Sequence, residues 1–398
     1  MGAFEITKGI YAVGVLNPNL RIFDIIMKTE YGTSYNAYLV KGDKVALVEA
    51  VHTRFFGDYL KNIKEIVDID EIDYIILNHT EPDHSGALKQ LLEENSNIKV
   101  ITSAPGAKYI KGILNREINN QVVKDGEILD LGQGKQLKFM MAPFLHWPDS
   151  MFTYVEQDKV LFSCDFLGCH FCEPRMYDTR ILYPREFEDA FSYYYDVIFG
   201  PFNQYVQKGL EKIEKLAIDY ICPSHGPILT EKIAWAKEKY QVWSKEEIAA
   251  DKKPKVLIAY VSAYGCTRRM AEELEKAIKD TKDIRVEKVD IIHEDIMALK
   301  EKVEKADALL FGSPTINRDA VKPVWDLLSL VDVFKNKDKL CGIFGSYGWS
   351  GEAVGMLSAR VKSLKLKLHE EGIKANFVPS EQELLAVYEY GKSFASKL

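Results

Sequence analysis

Beyond Lys255 this 398-residue chain alternates between short apolar strands and amphipathic helices with almost no interruption, and that alternation leaves few ways to fold. An apolar strand covers 256–261, after which Met270, Leu274 and Ile278 recur at four-residue spacing along a helix. Further strand patterns follow at 285–291, 308–312, 340–345 and 375–378, each with helical periodicity behind it. Strands alternating with helices over about 145 residues, the size of one domain, predict an α/β fold with a doubly wound, five-stranded parallel sheet. The preceding stretch 244–255, SKEEIAADKKPK, mixes charges, small residues and a proline, and reads as a linker. We therefore expect two domains, 1–249 and 254–398, in a chain longer than one hydrophobic core ordinarily supports.

The first part mixes hairpin-like β patterns (21–51, 136–141 and 152–164) with amphipathic helices, one of which presents Val206, Leu210, Ile213 and Leu216. That predicts a layered α/β or α+β arrangement, and periodicity alone does not choose between topologies. A net charge of −7 and a pI near 5.8 speak against a nucleic-acid partner, which needs concentrated positive charge. No apolar run reaches membrane-spanning length, and the N-terminus lacks a basic segment ahead of an apolar core, so neither membrane nor secretion is expected. Six scattered cysteines make no disulfide scaffold and imply a reducing cytoplasm. Cys169 and Cys172 form a CxxC without a second pair, which leaves them as free thiols near a site rather than half of a four-cysteine metal site.

The run 72–77 is isoleucine-rich and nearly all apolar, as in a buried strand, and it feeds straight into His79-Thr80-Glu81-Pro82-Asp83-His84. A helix start is expected at 85–88, which puts the cluster at the carboxyl end of a strand. A lone histidine there is ordinarily structural or solvated. Two imidazoles and two carboxylates packed into one loop are costly unless a cation compensates their desolvation and repulsion. His146, Asp165 and His225 each follow an apolar strand pattern and are weak signals alone. Joined to the loop, they supply enough ligands for two metals if Asp165 bridges.

This set resembles the metallo-β-lactamase-like domain of flavodiiron proteins. Hydrolytic members of that superfamily usually carry His-x-His-x-Asp-His, whereas this chain has Glu81 at the second position. A harder, anionic oxygen donor in place of an imidazole shifts preference from zinc towards iron. The resemblance implies an N-terminal αβ/βα sandwich and two non-haem irons, one held by His79, Glu81 and His146, the other by Asp83, His84 and His225, with Asp165 bridging. His170, Trp147 and the tyrosines 193–195 are candidates for the pocket around the metals, with His170 and Tyr195 put forward as hydrogen-bonding groups. His170 reads equally well as a structural histidine, and the three tyrosines lie on an expected helix and cannot all face one site.

In the second domain the first strand runs into Ser262-Ala263-Tyr264-Gly265-Cys266-Thr267 and then a helix, a loop able to surround a phosphate with backbone N–H groups and hydroxyls. It matches neither GxGxxG nor GxxxxGK[ST], so dinucleotide and nucleoside triphosphate readings lose support. Two later loops at strand ends carry Ser313-Pro314-Thr315-Ile316-Asn317 and Ser346-Tyr347-Gly348-Trp349-Ser350-Gly351. The three together resemble the FMN-binding loops of flavodoxins, where Tyr347 or Trp349 would give the isoalloxazine a flat face. The family resemblance spans nearly the whole chain. It implies reduction of nitric oxide to nitrous oxide, or of dioxygen to water, with electrons passed through FMN from an external donor such as rubredoxin. It also implies a head-to-tail homodimer or a dimer of dimers. The rival expectations are a zinc hydrolase fused to a flavodoxin domain, which Glu81 argues against, and an electron carrier without catalysis, which leaves the ligand-type residues without a role.

Overall fold

Strand faces that alternate between two apolar surroundings explain the first half of the chain. In the strands Tyr38–Lys41, Val45–Val48 and Ile72–Leu77, residues Tyr38, Val40, Ala46, Val48 and Ile76 point into one core while Leu39, Val45, Leu47, Ile75 and Leu77 point into another. A sheet buried on both faces must sit between two layers, and its strands read as continuous apolar runs. In the computed structural model, which describes residues 2–25, 27–245 and 253–398, this seven-stranded sheet ends with Ile72–Leu77, Lys99–Thr102 and Asn120–Val122 in parallel.

Its inner face packs on a second, five-stranded sheet through Leu137, Phe139, Val155, Val160 and Phe162. Helices cover the outer face of each sheet: Tyr59, Ile63, Leu88 and Leu91 on the first, and Phe187, Phe191, Val206, Leu210 and Ile213 on the second. The result is an αβ/βα sandwich. The helix expected around Val206 spans Asn203–Glu214, and Leu216 lies past its end.

The chain divides into two units, Met1–Glu246 and Glu247–Leu398. The middle of the expected linker, 246–252, lies outside the described residues, as does the expected end of the first domain at 249. In the second unit the parallel order is Arg285–Asp290, Lys255–Tyr260, Ala308–Gly312, Leu340–Tyr347, with helices on both faces. Five strands are expected there, with the last at 375–378. The structure instead splits the fifth into Lys367–Leu368, which pairs with the start of Leu340–Tyr347, and Ile373–Asn376, which pairs with its end. Between them Gly372 takes a left-handed φ of +85°, and a Cβ there would stand 2.7 Å from Val354 and 2.9 Å from the Ile343 carbonyl, so the turn back into the sheet requires glycine. Phe377 and Val378 fall beyond the strand and are exposed.

Candidate metal centre and flavin cavity

Four chain segments converge at one end of the two sheets of the sandwich. His79 and Glu81 follow Ile72–Leu77; Asp165 follows Val160–Cys164; His225 follows Tyr220–Pro223; His146 lies on the loop between Gln136–Met141 and Met151–Val155. The helix start expected at 85–88 falls at its last residue, Leu88. Pro82–Ser85 is itself a helical turn, opened by the proline, and the longer helix begins only at Leu88. That turn sets Asp83 and His84 on adjacent positions facing the same cluster.

The structure brings all the sequence-derived ligand candidates together, and all but His146 are buried. Glu81 Oε2 stands 3.1 Å from His79 Nε2 and 3.2 Å from His146 Nε2. Asp83 faces His84 Nε2 at 3.4 Å and His225 Nε2 at 3.0 Å. Asp165 divides its carboxylate between the two groups: Oδ2 lies 3.6 Å from His146, while Oδ1 lies 3.3 Å from His84 and 3.4 Å from His225. Two donors held about 2.1 Å from one metal, about 90–110° apart, stand about 3.0–3.4 Å from each other. The spacings fit a pair of metal positions. Both oxygens of buried Asp83 lack a hydrogen bond among the described residues, which is expensive unless a cation occupies the space they face.

Burial alone would lower the pKa of His79, His84 and His146, but the carboxylates outweigh it and hold each at about 10. Burial likewise opposes ionisation of Asp165 and Glu81, yet the facing imidazoles keep both well below the usual carboxylate range. His79, His84 and His146 thus share protons with Glu81 and Asp165, and a bound metal must displace those protons.

Several contacts around this cluster are not visible in the sequence. His79 Nδ1 lies 3.2 Å from the carboxylate of Asp149, His225 Nδ1 lies 2.7 Å from the Ser34 carbonyl, and Glu49 is 3.9 Å from His84 Nδ1. Burial pushes Glu49 up to about 8. Tyr194 donates its hydroxyl to Asp165 Oδ1 at 3.0 Å. Tyr195, the expected hydrogen-bonding tyrosine, turns away to Asn203 at 2.7 Å, because adjacent residues on a helix diverge, and Tyr193 is exposed. His170 is at the site: its ring centroid lies 4.7 Å from that of His225, its Nδ1 is 2.9 Å from the Thr33 hydroxyl, and burial followed by His225 keeps it neutral. Trp147 packs edge-on to His79 at 4.9 Å. Cys169 and Cys172 are free thiols, both raised by burial, the latter to about 11.

In the second unit the three expected loops meet at the carboxyl ends of the parallel strands around a cavity of about 340 Å³. Ser262, Ala263, Tyr264 and Cys266 line it from the first loop, Pro314, Thr315, Ile316 and Asn317 from the second, and Ser346, Tyr347, Gly348 and Trp349 from the third. Gly265, Thr267, Ser313 and Gly351 do not line it and shape the loops instead. Gly265 and Gly351 take left-handed conformations just ahead of Cys266–Thr281 and Glu352–Ser363, Thr267 bonds to Ser346, and the Ser313 hydroxyl accepts from Val321 N–H. Arg318, Ser350 and Phe377 line the cavity as well. The helix behind the first loop has no acidic residue in its first turn, so its amino end suits an anion. Tyr264 and Trp349, 94% and 92% exposed, stand at the rim with bare aromatic faces that a flat ring would cover.

Fold and site together define a two-domain protein in which a lactamase-type sandwich with a dinuclear-metal constellation precedes a flavodoxin-type sheet. The sequence matches the model of the ODP family beta lactamase over residues 33–226 and that of flavodoxin over 258–391. It is 51% identical to flavo-diiron protein FprA2 of Clostridium acetobutylicum over the full length of both chains, and 34% identical to a nitric oxide reductase of Moorella thermoacetica over 99% of this chain and 98% of that one. Rubredoxin oxygen:oxidoreductase of Desulfovibrio gigas superposes with a TM-score of 0.70 at 30% identity, covering 99% and 98% of the two chains. The chain belongs to the flavodiiron, or type A flavoprotein, family.

Proposed function

We propose that this oxidoreductase reduces nitric oxide to nitrous oxide, or dioxygen to water, at two irons, one held by His79, Glu81 and His146 and the other by Asp83, His84 and His225. Asp165 would hold both. The observation that carries the reading is the divided carboxylate of Asp165, one oxygen towards each histidine group. When bound, the iron pair supplies redox chemistry, and FMN in the second-unit cavity turns single electrons into paired delivery. Glu81 favours iron over zinc by adding a hard, anionic oxygen to the first position. Tyr194 fixes the orientation of Asp165 through its hydroxyl, and Trp147 and His170 wall the cluster.

The relatives named for nitric oxide reduction and for rubredoxin oxidation support the substrate pair and a rubredoxin-type donor. The reading includes a domain boundary between 249 and 254, a head-to-tail homodimer or dimer of dimers, and a cytoplasmic setting; no helix among the described residues is long and apolar enough to cross a membrane. Metal and flavin analysis of the purified protein tests it. Two irons and one FMN per chain are expected. Zinc would point to the hydrolase, and flavin alone to a carrier. Parallel turnover of NO and O2 with reduced rubredoxin then separates the substrates.

A further inference from the structure

Asp149 is fully buried, three residues beyond His146 on the same loop. It reaches across to the other ligand loop. Its Oδ2 accepts from the Thr80 N–H at 2.8 Å and from the Thr80 hydroxyl at 2.7 Å, and both carboxylate oxygens stand 3.2 Å from His79 Nδ1. Its own carbonyl accepts from the Ser103 hydroxyl at 2.8 Å, which anchors it to the start of the helix Ala104–Leu114. An ionised carboxylate only accepts, so once a metal displaces one proton of His79 the remaining ring proton belongs on Nδ1 and the lone pair on Nε2, the nitrogen on the Glu81 side.

The corresponding ligands of the other metal position are held differently. His225 Nδ1 donates to a neutral carbonyl, that of Ser34, at 2.7 Å. Among the described residues, His84 Nδ1 faces only Glu49, at 3.9 Å, beyond hydrogen-bond distance. Among the described residues, the His79 side is the one with a carboxylate within hydrogen-bond distance of a ligand's Nδ1, and that carboxylate, carried on the His146 loop, also holds Thr80 on the His79 loop.

We propose that Asp149 is a positioning residue that sets the tautomer of His79 and locks its loop to that of His146, so that the His79–Glu81–His146 position holds its metal more tightly than the Asp83–His84–His225 position. This rests on the dinuclear-iron reading above. A carboxylate behind a ligating imidazole raises the ligand's basicity and fixes its ring, and removal of such a partner typically costs about 10–100-fold in metal affinity.

The test is the rate of iron release from the full-length, FMN-loaded protein challenged with a ferrous chelator, with iron and flavin counted throughout. The parent should release one iron per chain quickly and the other slowly. Asp149→Asn should accelerate the slow phase by about 10–100-fold and leave the fast phase and the FMN content unchanged. Thr80→Val removes one donor to Asp149 without touching its charge, should accelerate the slow phase by about 3–10-fold, and serves as the test if Asp149→Asn does not fold. A single release phase in the parent, an unaltered slow phase in the folded variants, or equal acceleration of both phases overturns the proposal. A parent that carries no iron pair defeats the dinuclear-iron reading itself, before any variant is compared.

Discussion

The metal cluster and the flavin cavity are built by opposite means. The first concentrates buried, ionisable side chains: His79 and Asp149 are wholly excluded from solvent, and the facing acids and imidazoles hold one another charged. The second is an open hollow formed by strand-end loops, with Tyr264 and Trp349 bare at its rim. A site specified by side-chain identity has many single points of failure, whereas one specified by backbone, shape and stacking spreads its binding energy over many weak contacts. Substitutions in the first should therefore act sharply on metal and leave flavin in place, and substitutions in the second should act weakly and leave metal in place.

The sharpest expected case is Asp165→Ala. It should remove at least one iron and lower turnover by about 100-fold or more while FMN stays bound, because this one carboxylate faces both histidine groups. Full iron content at the parent rate would sink the bridging assignment. Next is Glu81→His, which restores the hydrolase-type ligand pattern; the zinc fraction should rise and flavin reoxidation by NO or O2 should slow by about 10-fold or more. If the variant holds two irons and reoxidises its flavin normally, Glu81 does not select the metal.

The comparison also predicts opposite pH slopes for the metal-free and loaded forms. His79, His84 and His146 rise from 6.5 to about 10 in the folded chain, so without metal their stabilisation is complete below 6.5 and is lost as pH climbs through 10. Glu49, raised from 4.5 to about 8, works in the same direction. Asp165 and Glu81 are lowered, so their contribution is lost on acidification instead. The metal-free chain should therefore melt at a lower temperature at about pH 9 than at about pH 6, while iron retention by the loaded protein improves over the same interval because binding releases protons. Parallel slopes for the two forms would mean that the imidazoles do not exchange protons for metal.

A smaller effect is expected from Trp349→Ala, which should weaken FMN by about 3–10-fold through lost stacking and leave iron content untouched. Titration of flavin-free protein with FMN measures it, and coupled loss of iron would show that the two sites are not built independently. Least of all should follow from Cys169→Ser with Cys172→Ser. Burial keeps both thiols protonated, so turnover should stay within about 2-fold, with a stability loss of about 1 kcal/mol from the hydroxyl buried at 169. Abolished turnover with full metal and flavin would reverse the view that this CxxC is chemically idle.

What the sequence by itself determined is whatever one short segment can announce. The apolar run 72–77 is a strand with the same bounds in the structure, and the crowding of His79, Glu81, Asp83 and His84 behind it already pointed to a cation, because packing such groups together costs desolvation and like-charge repulsion. Alternation of strand and helix likewise announced the parallel sheet beyond Lys255. The tertiary structure decided everything that depends on which distant groups meet. It chose Tyr194 over its neighbour Tyr195, since helical phase and the packing of Pro184–Tyr194 decide which hydroxyl reaches Asp165. It set Asp149 behind His79 and Glu49 behind His84, added Arg318 and Phe377 to the flavin cavity, and split the last strand around Gly372. A lone Asp or Glu in a sequence looks like any solvated acid. Only burial beside a particular imidazole nitrogen gives it a role, and burial and direction are properties of the packed chain rather than of the residue.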